Sequence, residues 1–480
     1  MRRRGMPQQR KTNVRDVLAA DPPKIINKNG LRCVLPYYYV YQTYAKVCTL
    51  REVGFGCLNK LVGACTTEFR DRSKSYYEWA IQSGIATINR EKATLDSALR
   101  NGDLIQNKVH AHEPPVVAEL PVIIYRDDEK GWLVVSKPGS MPVHPTGRYR
   151  KNTLLEILKD EHAIENLYCC NRLDRLTSGV MVIGTKKAAG SQLGAAFMKG
   201  SIKKEYIAKV IGKFPDREVV DEPIITVDRQ MGLVIRHKNG KSAKTIFERM
   251  SYDEATDTSV VYCQPLTGRT HQLRVHLQYL GHPIANDPLY SGHDIWGEKR
   301  GKGGWPAYST GRILDEIYQQ KKEQNAPIEV LEKHMAEDDK QLVRSDQDIG
   351  FNSPVELDEE YKEVIRRLRA QKDESDGWAR WRDVLGFDSK KANDAAEEKE
   401  NLEKITQGLG GYCPTCFIPL IEDPPREKLF IYLHATRYTS PEWCFEAPLP
   451  NWIDEQGRDW WEENNEVRKS EIQKAVNEME

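Results

Sequence analysis

The feature that most constrains this chain is the run Asn171-Arg172-Leu173-Asp174-Arg175-Leu176-Thr177-Ser178-Gly179, followed at once by Val180-Met181-Val182-Ile183-Gly184. The first part carries charges and turn formers with no helical or alternating period, so it reads as a loop. The second is a short apolar run that reads as a buried strand. A loop anchored on such a strand keeps its carboxylate and guanidinium groups in fixed positions, which catalysis requires. The bland reading of Arg-x-Asp-Arg is an exposed ion pair of little energetic weight.

Further blocks bear on that choice. Lys137-Pro138-Gly139-Ser140-Met141-Pro142-Val143-His144-Pro145 is too rich in Pro and Gly to be a regular element. Lys203-Lys204-Glu205-Tyr206-Ile207-Ala208-Lys209-Val210 suits a strand with one buried face. In Pro265-Leu266-Thr267-Gly268-Arg269-Thr270-His271-Gln272-Leu273-Arg274-Val275-His276-Leu277, Thr267-Gly268 marks a turn, and the spacing predicts a helix on which positions 270 and 274 share a face. His271 and His276 fall on different faces, so they do not form a metal pair.

Together these blocks resemble the RluA-type pseudouridine synthases. The loop matches the family's H-R-L-D-R-x-T-S-G at eight of nine positions, with Asn171 where His is usual. The later blocks are similar to K-P-x-G-x-x-V-H, K-x-Y-x-A and T-G-R-x-H-Q-[IL]-R-x-H. The segment Leu429-Phe430-Ile431-Tyr432-Leu433-His434-Ala435 looks like the last core segment of the family. The resemblance implies an α+β fold: a pseudouridine synthase core with a mixed, largely antiparallel sheet and flanking helices.

It also implies roles. Asp174 is the catalytic nucleophile, Tyr206 lies against the target base, and Arg274 is the partner of Asp174, with Arg269 second in line. Arg172 fills the gap left by the flipped base, and Arg175, Lys137, Arg269 and His271 join it as RNA-contacting residues. The reaction breaks the N-glycosidic bond, turns the uracil and rejoins it through carbon; with no redox step, it needs no cofactor. A carboxylate suits this if it stays ionised, and a neighbouring arginine lowers its pKa. The implied partner is tRNA. The linker His110-Ala111-His112-Glu113-Pro114-Pro115 is similar to one in the eukaryotic tRNA branch, which points to position 32 of the anticodon stem-loop. The alternatives are an rRNA or mitochondrial RNA substrate, and a non-catalytic RNA-binding or RNA-folding protein on the same scaffold. A zinc deaminase is excluded, because Tyr412 precedes Cys413 and no H-x-E occurs.

The organisation follows from composition. Residues 1–35 read as a basic disordered tail. Residues 36–115 form an N-terminal extension with a small module whose helix, turn, strand and Gly-Asp order resembles a ribosomal-protein-like RNA-binding domain. Residues 116–291 are the catalytic core, 292–405 a charged, partly disordered insertion, 406–455 the C-terminal part of the core, and 456–480 a helical tail. The 71 Lys and Arg balance the 71 Asp and Glu, so net charge says nothing of a polyanionic partner. Locally, Met141 to Lys213 holds 13 basic against 6 acidic residues and Glu356 to Lys404 holds 11 against 15, which places a nucleic-acid face on the former. No apolar run suits a membrane span, and ten scattered cysteines fit reduced thiols. The expected compartment is the cytoplasm, with mitochondrion or nucleus as alternatives, and the expected state a monomer. The lone pair Cys413 and Cys416 would need Cys444, His434 or a distant group to hold zinc, so no metal site is assigned.

Overall fold

The computed structural model describes residues 23–45, 61, 74–228, 231–304, 353–376, 403–404, 407, 411–412, 419–420 and 422–465. Cys413, Cys416 and most of the two tails lie outside them. The chain divides into two compact units, one built chiefly on Cys33–Pro114, the other on Pro115–Arg380 and Ile421–Glu480.

The first unit holds β1 (Tyr37–Tyr44), α1 (Lys74–Gln82), β2 (Ala86–Ile88), β3 (Glu91–Lys92) and β4 (Leu104–Ala111), with sheet order β1-β4-β2-β3. The expected helix, Ser-Gly turn, strand and Asn-Gly-Asp turn are all present. Gly84 and Gly102 sit at the turns with φ of 79° and 91°, a region that suits glycine. Tyr77, Ala80 and Ile81 of α1 pack against Ala86 and Ile105.

In the second unit the elements are β5 (Val122–Asp127), β6 (Trp132–Lys137), α2 (Leu154–His162), β7 (Tyr168–Cys169), β8 (Ser178–Gly184), α3 (Lys187–Lys199), β9 (Lys203–Ile211), β10 (Arg217–Asp221), β11 (Ile224–Asp228), β12 (Leu233–Arg236), β13 (Lys244–Asp253), β14 (Thr258–Pro265), α4 (Gln272–Leu280), α5 (Glu359–Asp376), β15 (Leu433–Ser440) and β16 (Trp443–Glu446). The main sheet runs β10-β13-β14-β9-β15-β8-β6-β5, with β7 beside β8 and β16 beside β15. Within it β8 and β15 pair in parallel and the other neighbours antiparallel, the mixed and largely antiparallel sheet expected.

Four features depart from the pattern-based expectation. β9 does not have one buried face: Ile207 and Ala208 point to opposite sides and are both fully buried, because helices or loops cover the sheet on both faces here. Thr270 and His271 precede α4 rather than belonging to it, so Thr270 shares no helical face with Arg274. The charged text around Tyr361 forms α5, and its acidic and basic side chains pair on the outer face. Tyr361, Val364, Ile365 and Leu368, at helical spacing, are nevertheless buried beside Tyr290 and Trp296. Trp461, in the expected helical tail, is buried instead of solvent-facing: it is 3% exposed and packs with Tyr262 and Ile207.

Candidate active site

The signature loop is fixed from several sides. Leu173 inserts into the core beside Val180 and Met181, whereas Leu176 inserts into a second core beside Ala208 and Ile431, so the residues between them are suspended over the sheet. Thr177 N–H donates to the Asp174 carbonyl at 3.1 Å, and Ile431 N–H donates to the Leu176 carbonyl at 3.1 Å. Gly179 has φ 113°, and a Cβ there would lie 2.1 Å from the Ala435 carbonyl oxygen. Only glycine lets β8 approach β15 at this point.

Lys137 reinforces the same loop. Its ammonium is fully enclosed and donates to the carbonyls of Pro138, Met141 and Arg175 at 2.9, 3.1 and 3.3 Å. Burial pushes its pKa down to about 7, against the pull of the Asp174 charge.

Asp174 itself is half-buried, its side chain 27% exposed. Arg274 Nη1 lies 3.5 Å and His271 Nε2 3.6 Å from its Oδ2. Both distances exceed a direct hydrogen bond, and catalytic contacts of this kind shorten when substrate binds. Burial opposes ionisation of the carboxyl, but His271 in its protonated form, Arg274, Arg172 and Lys137 together bring its pKa below the usual value. Arg274 is the permanent charge among its close neighbours, because His271 is neutral near pH 7: burial first, then Arg274, lower the imidazole to about 4.

His271 is the N-cap of α4 and adopts a left-handed backbone, φ 55° and ψ 16°. Its Nδ1 lies 2.9 Å from the Tyr290 hydroxyl, whose oxygen also accepts from Val234 N–H at 3.1 Å. An ionised Asp174 selects the tautomer with the proton on Nε2, which leaves Nδ1 an acceptor; the single Tyr290 hydroxyl proton has that nitrogen and the Val234 carbonyl, 3.1 Å away, as its two acceptors. Just beyond, Gln272 accepts from Thr267 Oγ1 and Arg269 N–H and donates to Lys244 O and Thr245 Oγ1, at 2.8 to 3.0 Å. That amide fixes the Thr-Gly-Arg turn.

Arg274 is fully committed. Its Nε and Nη2 donate to Asp287 at 2.6 and 2.8 Å, and Asp287 is fully buried. Asp287 also accepts from the N–H groups of Leu289 and Tyr290.

Tyr206 approaches from β9. The pairing of β9 with β15 shifts register between Glu205 and Tyr206, a bulge that re-aims the ring. The Tyr206 hydroxyl lies 3.0 Å from that of Tyr438, which in turn accepts from Asn171 Nδ2 at 3.3 Å. Burial and the Asp174 charge push the Tyr206 phenol up to about 12, so it keeps its proton at neutral pH. On the other face Glu205 forms a fully buried ion pair with Arg437 at 2.6 and 3.0 Å.

The structure thus brings Asp174, His271 and Arg274 into contact distance, with Tyr206 close enough to sense the Asp174 charge. Arg172 is exposed on the same loop. Arg269 is exposed and donates to Ser242 O at 3.1 Å; Arg175 turns toward Ser140 O and the ring of Tyr149. Lys137, expected on the RNA face, is enclosed and cannot touch RNA as the site stands. Sequence reasoning missed Asp287, Tyr290, Tyr438 and Gln272. The run Asn286-Asp287-Pro288-Leu289-Tyr290 was visible, but an acid and a phenol in a turn announce no partner without the fold. His276, in contrast, bonds Thr245 Oγ1 and Glu222 O away from the site.

The RNA pseudouridylate synthase family matches residues 131–279, which contain Asp174, Tyr206, His271 and Arg274. Over 442 residues the chain is 36% identical to pseudouridylate synthase RPUSD2 of Mus musculus, covering 91% of this chain and 73% of that protein. The chain belongs to this family. This pseudouridylate synthase is also 43% identical over 304 residues to tRNA pseudouridine(32) synthase, mitochondrial, of Saccharomyces cerevisiae, covering 62% of this chain and 63% of that one. The solved structure of human RNA pseudouridylate synthase domain containing 4 is 21% identical and covers 71% of this chain and 92% of its own, with a TM-score of 0.35. The chemistry of this synthase is the isomerisation of uridine to pseudouridine in RNA.

Proposed function

We propose that this pseudouridylate synthase acts on tRNA, at uridine 32 of the anticodon stem-loop, with Asp174 as nucleophile. The observation that carries the catalytic part is the half-buried Asp174 carboxylate with Arg274 at 3.5 Å and a neutral His271 at 3.6 Å. Such a carboxylate stays ionised in a partly desolvated site, as a nucleophile must. The target nucleotide leaves its stack at a cost of a few kcal/mol; in this reading Arg172, exposed on the same loop, occupies the space. Asp174 forms a bond to the nucleotide as the C1′–N1 bond breaks, the uracil turns with the Tyr206 ring against it, C1′ bonds C5, and the bond to Asp174 breaks to free the carboxylate. The proton on C5 is released and N1 ends protonated, so the atoms balance without a cofactor.

The tRNA part is supported by the name of the yeast relative and by the His110–Pro115 linker. The compartment proposed is the cytoplasm, with the mitochondrion, named for that relative, as the alternative, and the protein is proposed to act as a monomer. The test is pseudouridine formation in unmodified total tRNA by wild type and Asp174→Asn, mapped to single positions. Product at one anticodon-loop uridine with wild type alone supports the proposal. Product in rRNA but not tRNA would replace the substrate. Binding of RNA without turnover on any RNA offered would leave a non-catalytic RNA-binding protein.

A further inference from the structure

The four-stranded sheet of the first unit has two unlike faces. On one, Ala86, Ile105 and Asn107 are buried, packed under Tyr77, Ala80 and Ile81 of α1. Strand alternation sends the intervening residues to the other face. Register there places Tyr38, Val40, Gln42 and Tyr44 of β1 opposite His110, Lys108, Gln106 and Leu104 of β4, with Thr87 of β2 and then Lys92 of β3 beyond Gln106. None of these side chains is buried; Tyr38 is 46% and Tyr44 47% exposed. The set contains two lysines and a histidine and no carboxylate.

We infer that this sheet face binds a single-stranded segment of RNA, by stacking unpaired bases on Tyr38 and Tyr44 while Lys108 and Lys92 meet the backbone phosphates. The Tyr38 ring is already oriented: Lys108 Nζ lies 4.7 Å from its centroid and the His110 ring 4.9 Å away. A ring fixed by its neighbours loses little rotamer freedom when a base stacks on it. The six-residue separation of the tyrosines spans about 20 Å of strand, room for several nucleotides, and the Gln42–Gln106 pair between them offers amides to base edges. Among the described residues at these strand positions none is a carboxylate, which matters as much as the lysines, because a phosphodiester chain laid along them meets no like charge there. Duplex RNA fits poorly, since its bases are stacked on one another and unavailable to the rings.

This inference rests on the reading of the protein as an enzyme of folded RNA with unpaired loops, and its test separates the two. Full-length wild type, Tyr38→Ala/Tyr44→Ala, Tyr38→Phe/Tyr44→Phe and Lys108→Gln are titrated with a short unstructured oligoribonucleotide and with a duplex of equal length. Turnover is followed on total tRNA. The alanine pair is expected to bind the oligoribonucleotide at least about fivefold more weakly, with KM raised and kcat within about twofold. The phenylalanine pair should bind as wild type does, and Lys108→Gln should lower the salt slope by about one. Unchanged affinity in the alanine pair, equal loss in the phenylalanine pair, or tighter binding of the duplex than of the single strand would each overturn it. Should wild type make no pseudouridine while the alanine pair loses affinity, the catalytic proposal falls and this one stands; turnover with unaltered affinity gives the reverse.

Discussion

Arg274 is bound more closely to Asp287 than to Asp174, at 2.6 and 2.8 Å against 3.5 Å. The two-point contact uses the fork geometry of the guanidinium and leaves Nη1 aimed at Asp174. Asp287 therefore sets the direction of the charge that keeps Asp174 ionised. Asp287→Asn is expected to lower kcat by about 10²-fold, the scale of a misplacement near 1 Å, with KM little changed. Asp287→Ala also leaves a buried guanidinium uncompensated, and should cost about 3–5 kcal/mol of stability. Steady-state kinetics and denaturant unfolding measure both; wild-type kcat in Asp287→Asn would show that Arg274 needs no orientation.

The Tyr290 hydroxyl is the only group among the described residues within hydrogen-bond reach of His271 Nδ1. Tyr290→Phe removes it while the ring remains stacked on Trp296, 6.2 Å between centroids. With no acceptor requirement on Nδ1, the imidazole is free to change tautomer and turn its lone pair to Asp174. The expected result is a fall in kcat of about tenfold, the lower end of what positioning contributes, with unchanged affinity for RNA. A variant as fast as wild type would mean that the tautomer is irrelevant.

The acid side of the pH profile follows from two signs. Asp174 has a folded pKa below its unfolded value, so its contribution is present above the usual carboxylate range and is lost as pH falls through the folded value. His271 and His434 are lowered to about 4, so between about 6.5 and 4 the unfolded chain binds more protons than the folded one. Stability should therefore decline as pH drops from 7 to 5, by about 2 kcal/mol or more, whereas kcat should not show a carboxylate titration in that window. Urea unfolding at several pH values and single-turnover rates test this. Stability that rose toward pH 5 would contradict it.

Tyr206 offers a ring and a protonated hydroxyl. Because the hydroxyl bonds Tyr438 and its pKa is near 12, it does not serve as a base at neutral pH. Tyr206→Phe should keep at least about a tenth of wild-type kcat, since a lost hydrogen bond of this kind is worth about 1 kcal/mol. Tyr206→Ala should lose far more. Equal loss in the two variants would place the chemistry on the oxygen instead of the ring.

Gly179→Ala is expected to prevent folding of the second unit, because its Cβ has no space against Ala435. Circular dichroism and protease sensitivity would show the loss. Stable, active Gly179→Ala protein would mean that β8 and β15 separate more easily than their register suggests.

Much of this site was legible in the chain. Asp174, Tyr206 and Arg274 lie in runs where local spacing and turn chemistry are unusual, and the strands flanking them announce themselves by apolar runs such as Val180–Ile183. Long-range partners were not legible. Asp287 pairs with Arg274, Tyr438 with Tyr206, and Arg437 with Glu205 across 13, 232 and 232 residues respectively. No periodicity encodes such a pairing. Five strands between Arg217 and Pro265 also went unread, because their charged residues alternate irregularly where β13 bulges against β14 between Arg249 and Ser251. Charge misled once more at α5, whose solvated face hid a buried one.

β15 lies between β8 and β9 at the middle of the sheet, and His434 bonds Ser178 across 256 residues. A ribosome makes the Asp174 loop long before it makes the strand on which that loop leans. The nascent chain therefore carries a complete signature motif and no assembled site until residue 440 or so has emerged. Contacts so distant along the chain close slowly, so the site assembles only after the last long strand of its sheet is made, and a chain cut short before β15 is expected to be inactive however much of the family motif it holds.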